Sequence, residues 1–500
     1  MKSVLKNVVA AVNGALASGW FFVGTLVIFC LQALWIALSS NLLPYDEYYH
    51  VGIIEFYSRQ WSPFISSQPP EMSLYGDVTR LSSYLYQYLM SFPYRLLDVF
   101  TDNQTHIIIG LRFINIALIV GGIVLFRRLF LQAKVPQKII NVVTLVFVLT
   151  PIMPILAAQN NYDNMMFLLT PVFLGYAYAA LTVKPSARTL LLLLTTGMLA
   201  TLTKHNFIVI FGSVTAFVLI RLSVQYRKKL VTLLADDYKK TRRATAVVGV
   251  IFLLVFGLFF ERFGVNAIRY KEVKVDCASV QPAEVCNQYS PWRRNQRALK
   301  NIPEVPEFSG PVSFSTHWVS RLMRGYFAIF ANIVPQNLNK PDPYGHYVFR
   351  TVLPLPITIG YIFLVAGGLA LILRAKQLWK ASELNQLTIV ASVALAGSLW
   401  VFNYAFYLKY GQAYAIQSRY IIPMLLPIFV LLATALVQVT RSSNLRWIRY
   451  VLASLILLYC FSGGIVGWVI RSQPDWYWPS QTVVQVNQTA RDFLKSVIPH

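Results

Sequence analysis

The sequence predicts an all-α membrane protein of about eleven transmembrane helices, and three observations lead there. Of 500 residues, 56% are hydrophobic and only 13% are charged. The apolar residues gather in runs near or beyond the roughly 18–20 residues that cross a bilayer. The basic residues fall in short clusters between those runs, as positive-inside signals do. A formal charge of +24 would suggest nucleic acid if it formed one face. Dispersed between spans it does not, and no nucleic-acid partner is expected.

Lys2 and Lys6 precede the first run, 19–40, which is too long for a secretory h-region and reads as an uncleaved span. A first outer loop of about 41–106 follows. Further spans are expected near 107–126, 139–158, 165–182, 189–203, 207–222 and 244–262. A second outer loop, about 263–350, leads to spans near 351–373, 385–406, 420–438 and 450–470, which complete a single module over 1–470. Residues 471–500 are left as a short extracytoplasmic tail. The clusters that fix this parity are Arg127 to Lys138, Lys184 to Arg188, Arg227 to Arg243, Arg374 to Lys380 and Arg441 to Arg449. The third alone holds seven Lys or Arg against two Asp. All fall on the side of the N-terminus, which is therefore expected in the cytoplasm.

Within the first loop, Val51 to Trp61 and Leu81 to Phe100 mix apolar and aromatic residues with a few charges. Such segments suit helices lying in the membrane interface. Cys30 and Cys460 sit in spans as small hydrophobes. Cys277 and Cys286 lie in the second loop and pair as a disulfide if that loop faces an oxidising compartment. A zinc site is not expected, since no further His or Cys follows at ligand spacing.

Chemistry is expected at the mouth of the first span. Asp46 and Glu47 are adjacent carboxylates, and His50 lies one helical turn beyond Asp46. Asp163, in the short link QNNYDN, emerges on the same side and serves either as a helix cap or as a ligand group. Lys204 and His205 fill the link between two spans, where a lysine snorkels or binds phosphate. Arg419 starts a span on the outer side, where the positive-inside rule disfavours it, and a guanidinium grips phosphate oxygens in pairs. Arg321 and Arg324 are weaker versions of the same idea.

The segment PYDEYYHVGIIEFYSRQW resembles the first outer loop of membrane glycosyltransferases of the C-type (GT-C) fold. It is most similar to the Asp-Glu loop of protein O-mannosyltransferases and aminoarabinose transferases. A late S/G-R-Y-x-x-P element, here Ser418, Arg419, Tyr420 and Pro423, adds to the resemblance. The resemblance implies transfer of a sugar from a polyprenyl-phosphate donor to an acceptor hydroxyl, with inversion, outside the cytoplasm of a bacterial inner or plasma membrane. It implies Asp46 as general base, its pKa raised by burial, with Glu47 as the second catalytic carboxylate, positioning the acceptor or the base, and His50 orienting the two. His50, Asp163, Lys204, His205, Arg419 and Tyr420 would bind substrate. The acceptor would be a glycan, lipid or protein. No cofactor is required, although some relatives use a divalent cation, for which Asp46, His50 and Asp163 are the candidate ligands. Some relatives also carry a large soluble C-terminal domain, so acceptor recognition here is expected from the two outer loops. The alternatives are a polymerase or ligase of lipid-linked polysaccharide and a transporter of lipid-linked sugars, which calls for mid-span charges and repeat symmetry.

Overall fold

The computed structural model describes residues 2–44, 46–303, 306–333, 347–441 and 445–497. Eight of its helices are long and apolar enough to cross a membrane. The chain opens with α1 (Lys2–Ala17) and the first of the eight, α2 (Gly19–Ser39), whose start is fixed by the Ser18 hydroxyl accepting from the Phe21 amide at 3.1 Å. Then come α3 (Glu47–Ser58) and α4 (Leu85–Asp98), α5 (Gln104–Gln132), α6 (Gln137–Val148), α7 (Ile152–Ala157) and α8 (Tyr162–Thr182). They are followed by α9 (Ala187–Thr203), α10 (Phe207–Tyr226), the surface helix α11 (Lys229–Lys240) and α12 (Arg242–Phe259). A π turn, Phe260–Gly264, joins α12 to α13 (Val265–Tyr270).

Four helices fill the second loop or lead out of it: α13, α14 (Ala283–Cys286), α15 (Ser290–Lys300) and α16 (Pro311–Tyr326). Cys277 and Cys286 are joined there by a disulfide, both nearly sealed from solvent. The antiparallel pair β1 (Ala328–Ile333) and β2 (Tyr347–Val352) aligns Ala328 with Val352. The part of the expected loop at 304–305 and 334–346 lies outside the described residues. The rest of the bundle is α17 (Pro354–Ala381), α18 (Glu383–Tyr410), α19 (Ile422–Val439), α20 (Arg446–Ser462) and α21 (Val466–Arg471), with α22 (Gln481–Val497) closing the chain. One continuous core runs from Phe22 and Phe29 of α2 through Phe126, Phe147, Phe167 and Leu387 to Trp468 and Trp476.

The count of eleven spans is not what the helices establish. The eight long apolar helices match eight of the expected spans, while those at 139–158, 189–203 and 450–470 fall on shorter apolar helices. Two of the three are interrupted. Thr150 and Pro151 divide α6 from α7, because proline lacks the amide that would continue the ladder. Gly463 and Gly464 divide α20 from α21, Gly464 at φ +61°.

The two interruptions meet. The Gly464 amide donates to the Leu149 carbonyl at 2.6 Å, and the Tyr459 hydroxyl reaches Thr150 Oγ1 at 3.2 Å. Gln32 of α2 accepts from the Ile465 amide at 3.1 Å. The Leu149 carbonyl and the Gly464 and Ile465 amides thus find partners across the bundle, as an apolar surrounding favours. A Cβ at Gly463 would stand 2.6 Å from the Leu149 oxygen. Gly463→Ala is therefore expected to cost about 1–3 kcal/mol, read as a drop in the unfolding midpoint of the detergent-purified protein. An unchanged midpoint would show that the approach is not tight.

The expected loop helices exist as α3 and α4, and they pack on the bundle as well as on each other: Ile53, Ile54, Tyr57 and Tyr86 are sealed. Arg95 of α4 caps the C-terminus of α3, donating to the carbonyls of Ser58 at 2.6 Å and Tyr57 at 2.8 Å and also to that of Gln60. The loop between them is tied to the π turn, where Arg80 donates to Glu261 at 2.8 Å and Asn266 at 2.9 Å, and Arg262 to the Pro63 carbonyl at 3.0 Å. These clamps fasten the C-terminal end of α3 and the loop that follows it.

Candidate active site

Asp46 is the last residue before α3 and adopts a left-handed conformation, φ 71°, which Asp tolerates better than most side chains. Its carbonyl accepts the first helical bond, from the His50 amide at 3.0 Å, while its carboxylate makes no cap bond. The carboxylate instead meets Arg419, with Nη2 to Oδ2 at 2.5 Å. That side chain is 58% exposed, whereas the Arg419 side chain is 2% exposed. An open carboxylate therefore lies over a buried guanidinium.

Glu47, expected as the second catalytic carboxylate, is fully enclosed and committed elsewhere. Arg112 of α5 grips it with Nε to Oε1 at 2.9 Å and Nη2 to Oε2 at 2.6 Å. The Leu43 amide donates to Oε2 at 2.7 Å, and the Asn160 amide to Oε1 at 2.9 Å. Arg112 spends its remaining donors on the carbonyls of Ala37, Ser40 and Asn41, at 2.7–3.0 Å. These include the unpaired carbonyls at the end of α2. A buried ion pair with every lone pair and proton used is the arrangement that survives desolvation. It anchors the turn from which Asp46 projects.

The other carboxylate at the mouth is Asp163, in the first turn of α8. The Asn161 side chain caps that helix, accepting from the Asp163 amide at 2.9 Å, so capping falls to Asn161 rather than to Asp163. Asp163 Oδ1 accepts from Lys204 Nζ, and its Oδ2 faces Arg419 Nε at 3.8 Å. Lys204, between α9 and α10, also lies over the rings of Tyr420, 4.4 Å away, and Tyr162, 4.8 Å away. Burial lowers its pKa to about 8, against the opposing pull of Asp163. Arg419 is fixed further by its Nε bond to Gln417 at 2.6 Å, and Tyr420 stands beside it. Four charges from four distant segments thus converge: Asp46, Asp163, Lys204 and Arg419.

The expected rise in the Asp46 pKa is reversed. Crowding by the protein pushes it up, but the charge and hydrogen bond of Arg419, with Lys204 adding, hold it below the ordinary carboxylate value. His50 does not bond the carboxylates it was expected to orient. With the Gln87 amide oxygen accepting from Nδ1 at 3.1 Å, the amide nitrogen donates to the Ser83 and Tyr84 carbonyls. Nε2 is left enclosed without a partner, and the ring stands edge-on to Tyr162 at 4.4 Å. Burial drives the His50 pKa down to about 3, so the ring is neutral. His205 sits apart from the charge cluster, its amide and Nδ1 on Ser83 Oγ at 2.9 and 3.2 Å.

Asp46, His50 and Asp163, the candidate ligands for a divalent cation, are not drawn together into one cluster. No group of three or more His, Cys, Asp or Glu among the described residues is placed to hold an ion, because both aspartates turn to cations instead. Sequence reasoning missed Arg112, Asn160, Gln87 and Tyr162. Arg112 alone carried a signal, as an ionisable residue inside an expected span.

No protein-family model matches the sequence, and no curated protein matches it significantly. Among solved structures it is similar to ArnT from Cupriavidus metallidurans. In the apo state of that protein the identity is 13%, over 96% of this chain and 73% of that one, with a TM-score of 0.46. With undecaprenyl phosphate bound the values are 12%, 96%, 70% and 0.47. A third similar structure is the archaeal oligosaccharyltransferase AglB from Archaeoglobus fulgidus, in complex with an inhibitory peptide and a dolichol-phosphate. There the identity is 14%, over 96% of this chain and 60% of that one, with a TM-score of 0.42. Likeness at this level assigns neither activity nor substrate. The functional case rests on this chain's own residues.

Proposed function

We propose that the protein is a glycosyltransferase of the outer membrane face, moving a sugar from a polyprenyl-phosphate donor to an acceptor hydroxyl with inversion. The observation that carries this reading is the open Asp46 carboxylate held against the buried Arg419 beside Lys204. The acceptor hydroxyl gives its proton to Asp46 as its oxygen attacks the anomeric carbon from the face opposite the phosphate. The bond from that carbon to the phosphate oxygen breaks, and its electron pair leaves on the phosphate. Phosphate is already a good leaving group, so a single carboxylate suffices, unlike glycoside hydrolysis with its pair. Arg419 and Lys204 stabilise the departing charge. Glu47 and Arg112 act by positioning Asp46.

The cluster's charges bear on donor binding. Two carboxylates face two cations, leaving no net positive charge for a phosphate. The donor therefore takes Arg419 by displacing Asp46, and this raises the Asp46 pKa at the moment a base is needed. The pH profile tests that coupling, since kcat/KM reports the free enzyme and kcat the complex. The acid limb of kcat is expected at higher pH than that of kcat/KM, and coincident limbs would remove the coupling.

Orientation follows the expected parity, with the N-terminus cytoplasmic in a bacterial inner or plasma membrane and the acceptor a glycan, lipid or protein. The direct test offers the purified protein in proteoliposomes a panel of radiolabelled polyprenyl-phosphate sugars with envelope acceptors. Release of polyprenyl phosphate with label transferred is expected. A panel without transfer from any donor would defeat the reading. Lys204→Met is expected to raise KM for the donor about tenfold, and in the unaltered protein KM should climb above pH 8 as Lys204 loses its proton. A flat KM in both would take Lys204 out of the donor site.

A further inference from the structure

Helix α16 carries a polar face that the reaction above does not use. Ser313, Thr316, His317, Ser320, Arg321 and Arg324 recur at helical spacing and line a recess of about 480 Å³. No carboxylate is among its lining residues. Glu307, on the segment before the helix, bears on His317, but neither arginine has an ion pair among the described residues. Arg321 Nε is shut off from solvent without a hydrogen-bond partner. Two guanidiniums within one turn repel one another unless an anion lies between them, and the His317 imidazole adds an N–H donor one turn before Arg321. A solvated helix face would leave every one of these nitrogens to water, and this one does not.

The recess lies on the same side of the bundle as Asp46. The Leu322 carbonyl of α16 accepts from Ser418 Oγ at 2.7 Å, one residue before Arg419. At Gly325 a Cβ would stand 1.7 Å from the Ser418 Oγ, so the helix backbone packs directly against the side chain that precedes Arg419. The guanidiniums offer paired donors for phosphate oxygens, and the Ser320 hydroxyl can donate to a remaining one, whereas those of Ser313 and Thr316 already donate to the Gly310 and Val312 carbonyls.

We propose that this recess is a second phosphate-binding site, separate from Arg419, which takes the phosphate group of a membrane lipid or of a free phosphorylated solute. The full-length protein, purified in detergent and fluorescently labelled, would be titrated with dihexanoyl phosphatidic acid and, as a phosphate-free control, with dihexanoylglycerol. Binding of the phosphatidic acid alone is expected. Arg321→Gln with Arg324→Gln should weaken it on the order of tenfold or more. Arg324→Gln alone, at an exposed position, should weaken it severalfold without risk to folding. Arg297→Gln with Lys300→Gln, a basic pair on α15, should bind as the unaltered protein does.

Inorganic phosphate distinguishes the sources. Full competition at millimolar concentration assigns the site to the phosphate group alone, and weak competition assigns it to lipid-borne phosphate. Equal binding of the two glycerolipids, or equal affinity in the Arg321/Arg324 variants and the unaltered protein, would overturn the proposal.

Discussion

Asp46→Asn is expected to cut turnover by about 10²–10⁴-fold and, at the same time, to tighten donor binding. The first effect follows from losing the one open carboxylate at the mouth, which no neighbour replaces: Glu47 is enclosed by Arg112, and Asp163 by Lys204. The second follows from competition. The Arg419 guanidinium, now held by Asp46 at 2.5 Å, exchanges that ion pair for a neutral hydrogen bond at most, so the donor phosphate meets a weaker competitor. Measured together, kcat and the equilibrium affinity for a polyprenyl-phosphate sugar separate a base from a scaffold. Turnover that survives the substitution would sink the assignment. A parallel collapse of donor affinity would make Asp46 a structural residue.

Arg112→Ala is expected to destabilise the protein by about 3–5 kcal/mol, because it leaves Glu47 buried and unpaired. The three carbonyls at the end of α2 lose their donor as well. Glu47→Gln should cost less, since the amide oxygen still accepts from Arg112 and the Asn160 amide. Replacing both, Glu47→Gln with Arg112→Ala, should cost less than the sum of the singles, as coupled partners do. Unfolding midpoints in detergent would show this, and strict additivity would mean the pair does not act as a unit. Turnover should fall in these variants even where they remain folded, since the turn carrying Asp46 loses its anchor.

Much of the bundle could be read from residue pattern because apolar length and basic clusters are local signals. Eight expected spans correspond to long apolar helices, and α3 and α4 lie where mixed apolar and aromatic segments placed them. The convergence of Asp46, Asp163, Lys204 and Arg419 was suggested by each standing at the end of an apolar run on one side. Pairing itself was not legible: Asp46 and Arg419 are 373 residues apart, and nothing in either segment names the other.

The surroundings of Glu47 were hidden for a different reason. Adjacency suggests shared work, but the left-handed turn at Asp46 lets the two carboxylates go to different arginines. Arg112 was passed over because the apolar residues on both sides of it read as membrane span. The interruptions at Pro151 and Gly463 were visible as residues, yet their meeting is a tertiary fact. So is the direction of the Asp46 pKa, which depends on Arg419.

That meeting also bears on how the chain is made. Thr150 and Tyr459 are 309 residues apart, roughly 15–60 s of synthesis at 5–20 residues per second. Through that interval the Leu149 carbonyl waits without its native donor, at a depth where lipid offers none. A chain cut short before Gly464 lacks that donor, and such a truncation is expected to leave a half-closed bundle open to proteolysis.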